Sequence, residues 1–303
     1  MDGHRSELPL DDPGRAGRVE AALVRAGVAE VVDLEDGAAT RRWAACDLAS
    51  MVEGCFHRRL RPEALGDAEA RGWVDRLGGS YLWPGFADDA WMTRYLWLVR
   101  DGARVGTLAL PATAVGTRDL RLWSLYVHPA HRGRGHATAA LRAAFDAAVA
   151  SGFRGIRVDT HWAWQRTLRF YLDRRMWVVS WKRSVGLAWR AGLPGWALEE
   201  GPDRLALRVP GDGAPRRVTA HRRGRSVALS GWPPGDEGLG RLARSTLALE
   251  LALRGWPLGD PAEAPGALGT TTGLAARIRR FEAASRELGW TVRTPAIPGV
   301  CEG

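Results

Sequence analysis

A strand-like segment runs directly into a glycine-rich turn and then into an uninterrupted helix-forming segment between residues 120 and 150. The strand is predicted at Leu120–Val127, and the alanine-rich helix at His136–Ala150, which Ser151 and Gly152 close. This order directs several backbone N–H groups and the positive end of a helix dipole at one place. The turn therefore predicts a site for a diphosphate.

The residue types in the turn suit such a site. Gly133 and Gly135 allow the backbone to approach phosphate oxygens closely, because neither carries a Cβ. Ala137 keeps the first helical turn slim, and Arg132 and Arg134 add positive charge.

The spacing Arg132-x-x-Gly135-x-Ala137 matches the pattern Arg/Gln-x-x-Gly-x-Gly/Ala. Here the sequence resembles the GNAT superfamily of N-acetyltransferases, in which this loop holds the pyrophosphate of acetyl-CoA and the preceding strand pairs with the pantetheine arm. The resemblance implies that acetyl-CoA is the acyl donor and that it contacts Leu125, Tyr126, Val127, Arg132, Gly133, Arg134, Gly135, His136, Ala137 and Thr138.

The resemblance continues after the loop. The segments 157–161 and 168–177 resemble the family's fifth strand and its Phe-Tyr-x-x-x-Gly-Phe segment, which places Tyr171 at the position of the usual general acid. A backbone N–H near Val127 would then polarise the thioester carbonyl. Trp164 stands where the family commonly has Asn, and Arg175 stands where glycine is usual. The alternative for Tyr171 is a core aromatic residue.

Transfer to an amine also needs a proton acceptor. Asp159 and His161 flank Thr160 on a predicted strand, so their side chains share one face and could act directly or through water. The alternative reading makes Asp159 a strand-end capping or salt-bridging residue and His161 a turn residue. Ser124 lies at a position that is often acidic in the family, but serine by itself is a poor base.

Composition excludes several other classes of site. The three cysteines lack disulfide, redox or metal spacing, and no carboxylate or thiolate joins the histidines around the loop, so we predict no metal. No run approaches about 18 apolar residues, and nothing resembles a signal peptide, so we predict a cytoplasmic protein with no membrane partner. The cysteines are Cys46, Cys55 and Cys301, and the histidines are His128, His131 and His136.

The net charge of +9 could favour an acidic partner. However, Lys182 is the only lysine, and a preference for arginine is equally typical of a GC-rich bacterial coding sequence. We therefore do not expect nucleic acid as a partner, although the arginine-rich stretch 216–225 keeps it as an alternative.

The predicted elements indicate an α/β (α+β) fold with a GNAT-like mixed, largely antiparallel sheet flanked by helices. We assign residues 1–27 to an N-terminal extension, 28–185 to the acetyltransferase-like domain, and 186–303 to a smaller C-terminal α+β domain of unknown role. In the first 185 residues the predicted elements are helix 18–25, strand 28–34, helix 38–60, strands 94–99, 104–110 and 120–127, helix 136–150, strand 156–160, helix 165–172 and strand 176–183. Strands 205–209, 217–221 and 226–230 and helices 239–254 and 274–288 follow.

The sequence thus predicts an enzyme that transfers an acetyl group directly to a primary amine, with a small molecule as the acceptor and protein N-termini or lysines as the runner-up. Direct transfer is favoured because Cys46 and Cys55 belong to an early helix and no cysteine is expected near the site. A non-catalytic acyl-CoA sensor or scaffold is the alternative from another class. A homodimer is compatible with the sequence.

Overall fold

The computed structural model describes residues 12–56, 61–64, 93–160, 164–181, 185–211, 215–223, 226–232, 237–254 and 256. Contacts divide the chain into two compact units, Met1–Glu53 with His57–Val158, and Gly54–Phe56 with Asp159–Gly303. The domain limits 28–185 and 186–303 stay a prediction, because a division by contacts need not coincide with a domain boundary.

The first unit begins with helix α1, Arg15–Arg25, and the short strand β1, Ala29–Val31. The helix ends at Arg25, as predicted, and Gly27 follows the C-cap with a φ of 66°, which suits a residue without a Cβ. Arg15 is fully buried, and its guanidinium donates to the carbonyls of Thr117 and Gly152 at 3.1 and 2.7 Å.

Helix α2, Gly37–Phe56, precedes a hairpin of β2, Thr93–Arg100, and β3, Ala103–Pro111. Asp101 and Gly102 form the turn of this hairpin, and both have a positive φ, as the commonest two-residue hairpin turns require. The Trp43 side chain fixes α2 to the sheet, because its indole nitrogen donates to the Leu96 carbonyl at 2.9 Å.

The segment predicted as one strand at 120–127 is instead two strands, and that prediction was wrong. Strand β4, Asp119–Leu122, pairs in parallel with β6, Gly155–Thr160, whereas β5, Ser124–Val127, pairs antiparallel with β3. Trp123 separates them, and its N–H donates to the Ala109 carbonyl at 2.9 Å. The chain changes sheets here because each half has a different hydrogen-bonding partner.

Helix α3, His136–Ala150, follows β5 and has the predicted bounds. Five alanine or leucine residues form its buried face, namely Ala140, Leu141, Ala144, Ala147 and Ala148. This spacing of three and four residues lets α3 pack against α1.

The second unit contains helix α4, Gln165–Asp173, and the antiparallel pair β7, Trp177–Trp181, and β8, Val185–Arg190. A four-stranded antiparallel sheet follows, made of β9, Ala197–Gly201; β10, Arg204–Val209; β11, Arg216–Arg223; and β12, Ser226–Ser230. The strands lie in the order β12-β11-β10-β9. Helix α5, Glu237–Leu253, packs on β7, β10 and β11, and its Thr246 hydroxyl accepts from the Val178 N–H at 3.0 Å.

The predicted fold class is confirmed: antiparallel pairing dominates among the described strands, β4 and β6 pair in parallel, and helices flank the sheets. Strands β8 and β9 were not predicted from the sequence. The predicted helix at 274–288 lies outside the described residues. Among the helices that are described, none is long and apolar enough to cross a bilayer.

Candidate functional site

Strand β5 is the outer strand of the sheet β1-β2-β3-β5. The His128 N–H, directly after β5, donates to the Val105 carbonyl at 2.9 Å. Hydrogen-bonding direction alternates along an antiparallel pair, so the backbone polar groups of Leu125 and Val127 face away from β3. This edge can therefore pair with an extended ligand arm.

The loop after β5 is built on two glycines in the left-handed region. Gly133 has a φ of 78° and Gly135 a φ of 80°. A Cβ built on either residue meets no described atom within 4 Å. Both residues and Arg134 between them are exposed, so the backbone here is accessible from solvent.

Helix α3 begins at this loop. Gly135 is its N-cap, and no side chain in the described part of the chain caps the helix. The first N–H groups of an α-helix have no acceptor within the helix, and they carry the positive end of its dipole. Those of His136, Ala137 and Thr138 are therefore suited to a phosphate group.

The side chain of Arg132 is turned toward the sheet and α2. Its Nε donates to the Val127 carbonyl at 2.7 Å, and its Nη1 lies 2.8 Å from a carboxylate oxygen of Glu53. The guanidinium also lies 5.1 Å from the centre of the Tyr126 ring. Arg132 thus joins α2, β5 and the loop, whereas Arg134 is the exposed arginine of the loop.

A carboxylate of α2 contacts β5 at a second point. The Ser124 hydroxyl donates to Asp47 Oδ1 at 2.6 Å. Burial raises the pKa of the Asp47 carboxyl above its ordinary 3.8, and the hydrogen bond from Ser124 opposes that rise. Both residues are half-buried.

Two further ionisable side chains near α2 are held neutral. Tyr126 is 4% exposed, and its hydroxyl has no hydrogen-bond partner among the described residues. Burial, followed by the charge of Glu53, raises the Tyr126 pKa. Burial, Glu63 and Asp47 raise the pKa of the Cys46 thiol to about 12.

A cavity of about 420 Å³ lies on the α2 side of the loop. His128 Nε2, at its edge, lies 2.8 Å from Glu63 Oε1, and His128 Nδ1 accepts from the Ala130 N–H at 3.2 Å. Both ring nitrogens of His128 therefore contact protein groups. The lining includes Arg42, Cys46, Trp97, Arg104 and Gly106.

Tyr171 lies in α4 and is 6% exposed. Burial raises the pKa of its phenol, and the positive charge of Arg174 opposes this. The phenol is therefore protonated at neutral pH, as a proton donor must be. Its catalytic role stays a prediction, because a core aromatic residue would be buried in the same way.

Asp159 is half-buried near the end of β6, in a position that allows contact with solvent. His161 lies outside the described residues, as do 162 and 163. The proposed Asp159 and His161 pair therefore also stays a prediction.

Asp47 and Glu53 were missed by sequence reasoning. A signal was present, because Asp47 lies four residues after Trp43, which is 1% exposed, and residues at this spacing share a helix face. A carboxylate on the buried face of an amphipathic helix is unusual and marks a specific contact. The partner of that contact could not be read from α2 alone.

Residues 60–175 match the Acetyltransferase (GNAT) family. No curated protein matches the chain. Among solved structures, the chain is similar to the PaiA N-acetyltransferase of Thermoplasma acidophilum in complex with coenzyme A, at 13% identity and a TM-score of 0.39, over 54% of this chain and 97% of that one.

Two other solved structures are similar over 54% of this chain. One is aminoglycoside 6'-acetyltransferase type Ii, at 14% identity and a TM-score of 0.33, over 96% of its length. The other is the GNAT domain of S. lividans PAT, at 16% identity and a TM-score of 0.34, over 89% of its length. The likeness to the acetyltransferase (GNAT) family rests on the sequence match of residues 60–175.

Proposed function

We propose that this chain transfers the acetyl group of acetyl-CoA directly to a primary amine of a small molecule. The observation that carries the proposal is the pair of left-handed glycines, Gly133 and Gly135, with open space beside both Cα atoms. They join an edge strand to an uncapped helix N-terminus. Few arrangements other than an anion-binding loop require all of these features together.

The donor would be held mainly by backbone groups. N–H groups from Gly133 to Thr138 would bind the pyrophosphate. The edge of β5 that faces away from β3 would pair with the pantetheine arm through Leu125 and the Val127 N–H, since the Val127 carbonyl accepts from Arg132. Arg134 would add positive charge, while Arg132 would hold the loop against Glu53 and β5. Acetyl-CoA, when bound, supplies the thioester carbonyl that the amine attacks.

Direct transfer is supported by the state of Cys46. We expected no cysteine near the site, yet Cys46 directly precedes Asp47, whose carboxylate contacts β5. A thiol whose pKa is raised to about 12 stays protonated at neutral pH, and the thiolate is the nucleophilic form. A relay through an acetylated Cys46 is therefore disfavoured.

The proposal is tested by two measurements on the full chain. Calorimetry measures coenzyme A binding, and a thiol-release assay with acetyl-CoA screens small primary amines beside peptides with free N-termini or lysines. Binding with turnover of small amines supports the proposal. Turnover of peptides alone would favour a protein acetyltransferase, and binding without any turnover would favour a sensor or scaffold.

Gly135→Ala is expected to weaken coenzyme A binding at least about tenfold. A Cβ at this φ strains the loop by about 1–2 kcal/mol, and its methyl group enters space that the phosphates would use. Gly152→Ala is the matched control, since Gly152 has a φ of 88° at the other end of the same helix. It should reduce stability without changing affinity, and equal affinities for both variants would contradict the proposed loop.

Tyr171→Phe tests the proposed acid. Loss of the phenol proton should lower kcat by roughly 10²- to 10⁴-fold, the range for general acids, with little change in coenzyme A affinity. Tyr95→Phe removes the hydroxyl of another buried tyrosine, which is 2% exposed, and controls for general effects of the substitution. Unchanged turnover of Tyr171→Phe would assign Tyr171 to the core.

A further inference from the structure

The contact between Asp47 and Ser124 resembles a proton relay more than a structural link. A serine hydroxyl 2.6 Å from a carboxylate oxygen is a short, charge-assisted hydrogen bond. Among the described residues, burial raises the Asp47 pKa and the Ser124 hydrogen bond opposes that rise. A carboxylate with a raised pKa is a stronger base than an ordinary aspartate.

The position of the pair fits a reaction at β5. Ser124 begins β5 and lies three residues before Val127 at the edge that we propose for the donor. Side chains alternate along a strand, so Ser124 and Tyr126 share the face that α2 covers. Ser124 and Asp47 are both half-buried, so neither residue is sealed in the core.

We propose that Ser124 and Asp47 form a relay that takes a proton from the ammonium group of the acceptor, an inference that rests on the proposed function. Ser124 accepts the proton from nitrogen and passes its own hydroxyl proton to Asp47. The neutral amine then forms the C–N bond as the C–S bond breaks. The nitrogen loses a second proton and the thiolate sulfur takes up one, so these two protons balance. Asp47 later releases its proton to water.

The surrounding charges fit a cationic acceptor. Glu63 and Asp47 both raise the Cys46 pKa, and Glu53 and Glu63 both raise the Tyr126 pKa. The positive charge of Arg132 opposes the rise at Tyr126, and Arg132 is paired with Glu53. Glu53 is paired with Arg132, and Glu63 contacts His128. Asp47 is therefore the carboxylate that favours an amine that arrives protonated.

The experiment compares the wild-type chain with Asp47→Asn, Ser124→Ala and Ser124→Thr. Asp47→Asn should lower kcat/KM for the amine about 10²-fold or more at pH 7, with coenzyme A affinity unchanged. The loss should shrink as the pH approaches the pKa of the amine, because unprotonated amine becomes available. Ser124→Ala should lower kcat/KM less, since water can replace the hydroxyl, and Ser124→Thr should retain most activity.

Asp146→Asn is the matched control, an exposed aspartate on α3 of the same unit, and it should leave the pH profile unchanged. An Asp47→Asn variant with wild-type kcat/KM at pH 7 would overturn the relay, as would a loss that is equal at every pH. A wild-type chain that binds coenzyme A and acetylates no amine would overturn the relay and the proposed function together.

A second readout needs no donor. A carboxyl whose folded-state pKa is raised stabilises the protein below its unfolded pKa, and that contribution is lost as the pH rises through the folded value. At a pH above the folded-state pKa of Asp47, the Asp47→Asn variant should therefore have a higher Tm than wild type, although its activity is lower. If the Tm difference does not change with pH, Asp47 is not a desolvated carboxylate and the relay loses its base.

Discussion

Arg175 stands where glycine is usual in the family pattern, yet its backbone has the conformation that a glycine would adopt there. Its φ is 60°, in the left-handed region. The Arg175 N–H donates to the Leu172 carbonyl at 2.8 Å and the Met176 N–H to the Tyr171 carbonyl at 3.2 Å, which closes α4 in a Schellman motif. Glycine is usual here because this motif needs a positive φ, and the arginine adopts it at a cost.

Arg175→Gly should be more stable than Arg175→Ala by about 1 kcal/mol, because only alanine retains the left-handed strain. Both variants lose the contact of the guanidinium with the Trp196 ring, 4.8 Å from its centre, so their difference isolates the backbone. Chemical denaturation measures it. Equal stabilities would mean that the backbone at 175 relaxes out of the left-handed region.

The conformations of the glycines in the loop after β5 were predictable because they depend on local sterics. Gly133 and Gly135 both have a positive φ, and a glycine that is needed for this reason can be recognised from the short motif in which it lies. The Asp47 contact was not predictable, because its partner Ser124 lies 77 positions away. The role of Arg132 in joining α2 to β5 was missed for the same reason.

At the scale of elements, Gly106 lets β3 and β5 approach each other. A Cβ at this position would lie 2.0 Å from the Tyr126 carbonyl oxygen, and backbone cannot yield as a flexible side chain can. The pairing of Gly106 with Val127 fixes the position of β5 relative to β3, and with it the position of the outer edge of β5. This contact therefore links strand packing to the proposed donor site.

Gly106→Ala should destabilise the protein by about 1–3 kcal/mol, the usual effect of overpacking, and weaken coenzyme A binding as β5 shifts. Gly17→Ala is the control: it lies in α1 of the same unit, and its Cβ would meet only the Arg94 side chain, at 3.4 Å. Thermal unfolding and calorimetry measure the two effects. If coenzyme A affinity is unchanged in Gly106→Ala, the edge of β5 does not bind the donor.

Most elements in the described part of the first 185 residues were predictable from periodicity and from turn and cap residues. The division into β4 and β5 was not, since the composition of 120–127 is strand-like throughout. The two strands are separate because β4 forms its backbone hydrogen bonds with β6, whereas β5 forms them with β3. Strands β8 and β9 were missed in a stretch rich in glycine and proline.

At the scale of the molecule, the second unit is held by a buried ion cluster. Glu250 of α5 is 1% exposed, and its carboxylate lies 2.6 Å from Arg169 Nη1 of α4 and also contacts Arg254. Together with the Thr246 contact to β7, this anchors α5 to the elements around Tyr171.

Glu250→Gln should destabilise the protein by about 3 kcal/mol, at the low end for a broken buried pair, because both arginines are partly exposed. Glu199→Gln removes an ion pair with Arg217 whose side chains are 31% and 44% exposed, and should cost less than about 1 kcal/mol. Urea unfolding measures both, and equal losses would mean that the cluster is solvated.

The sequence by itself determined the glycine-rich turn between β5 and α3, the mixed α/β class and most helix and strand positions, because periodicity, capping and the φ of glycine act over a few residues. Only the tertiary structure decided the division into β4 and β5, the free edge of β5 and the approach of Asp47 and Glu53 to it. These depend on contacts between residues far apart in the chain, which no local pattern encodes.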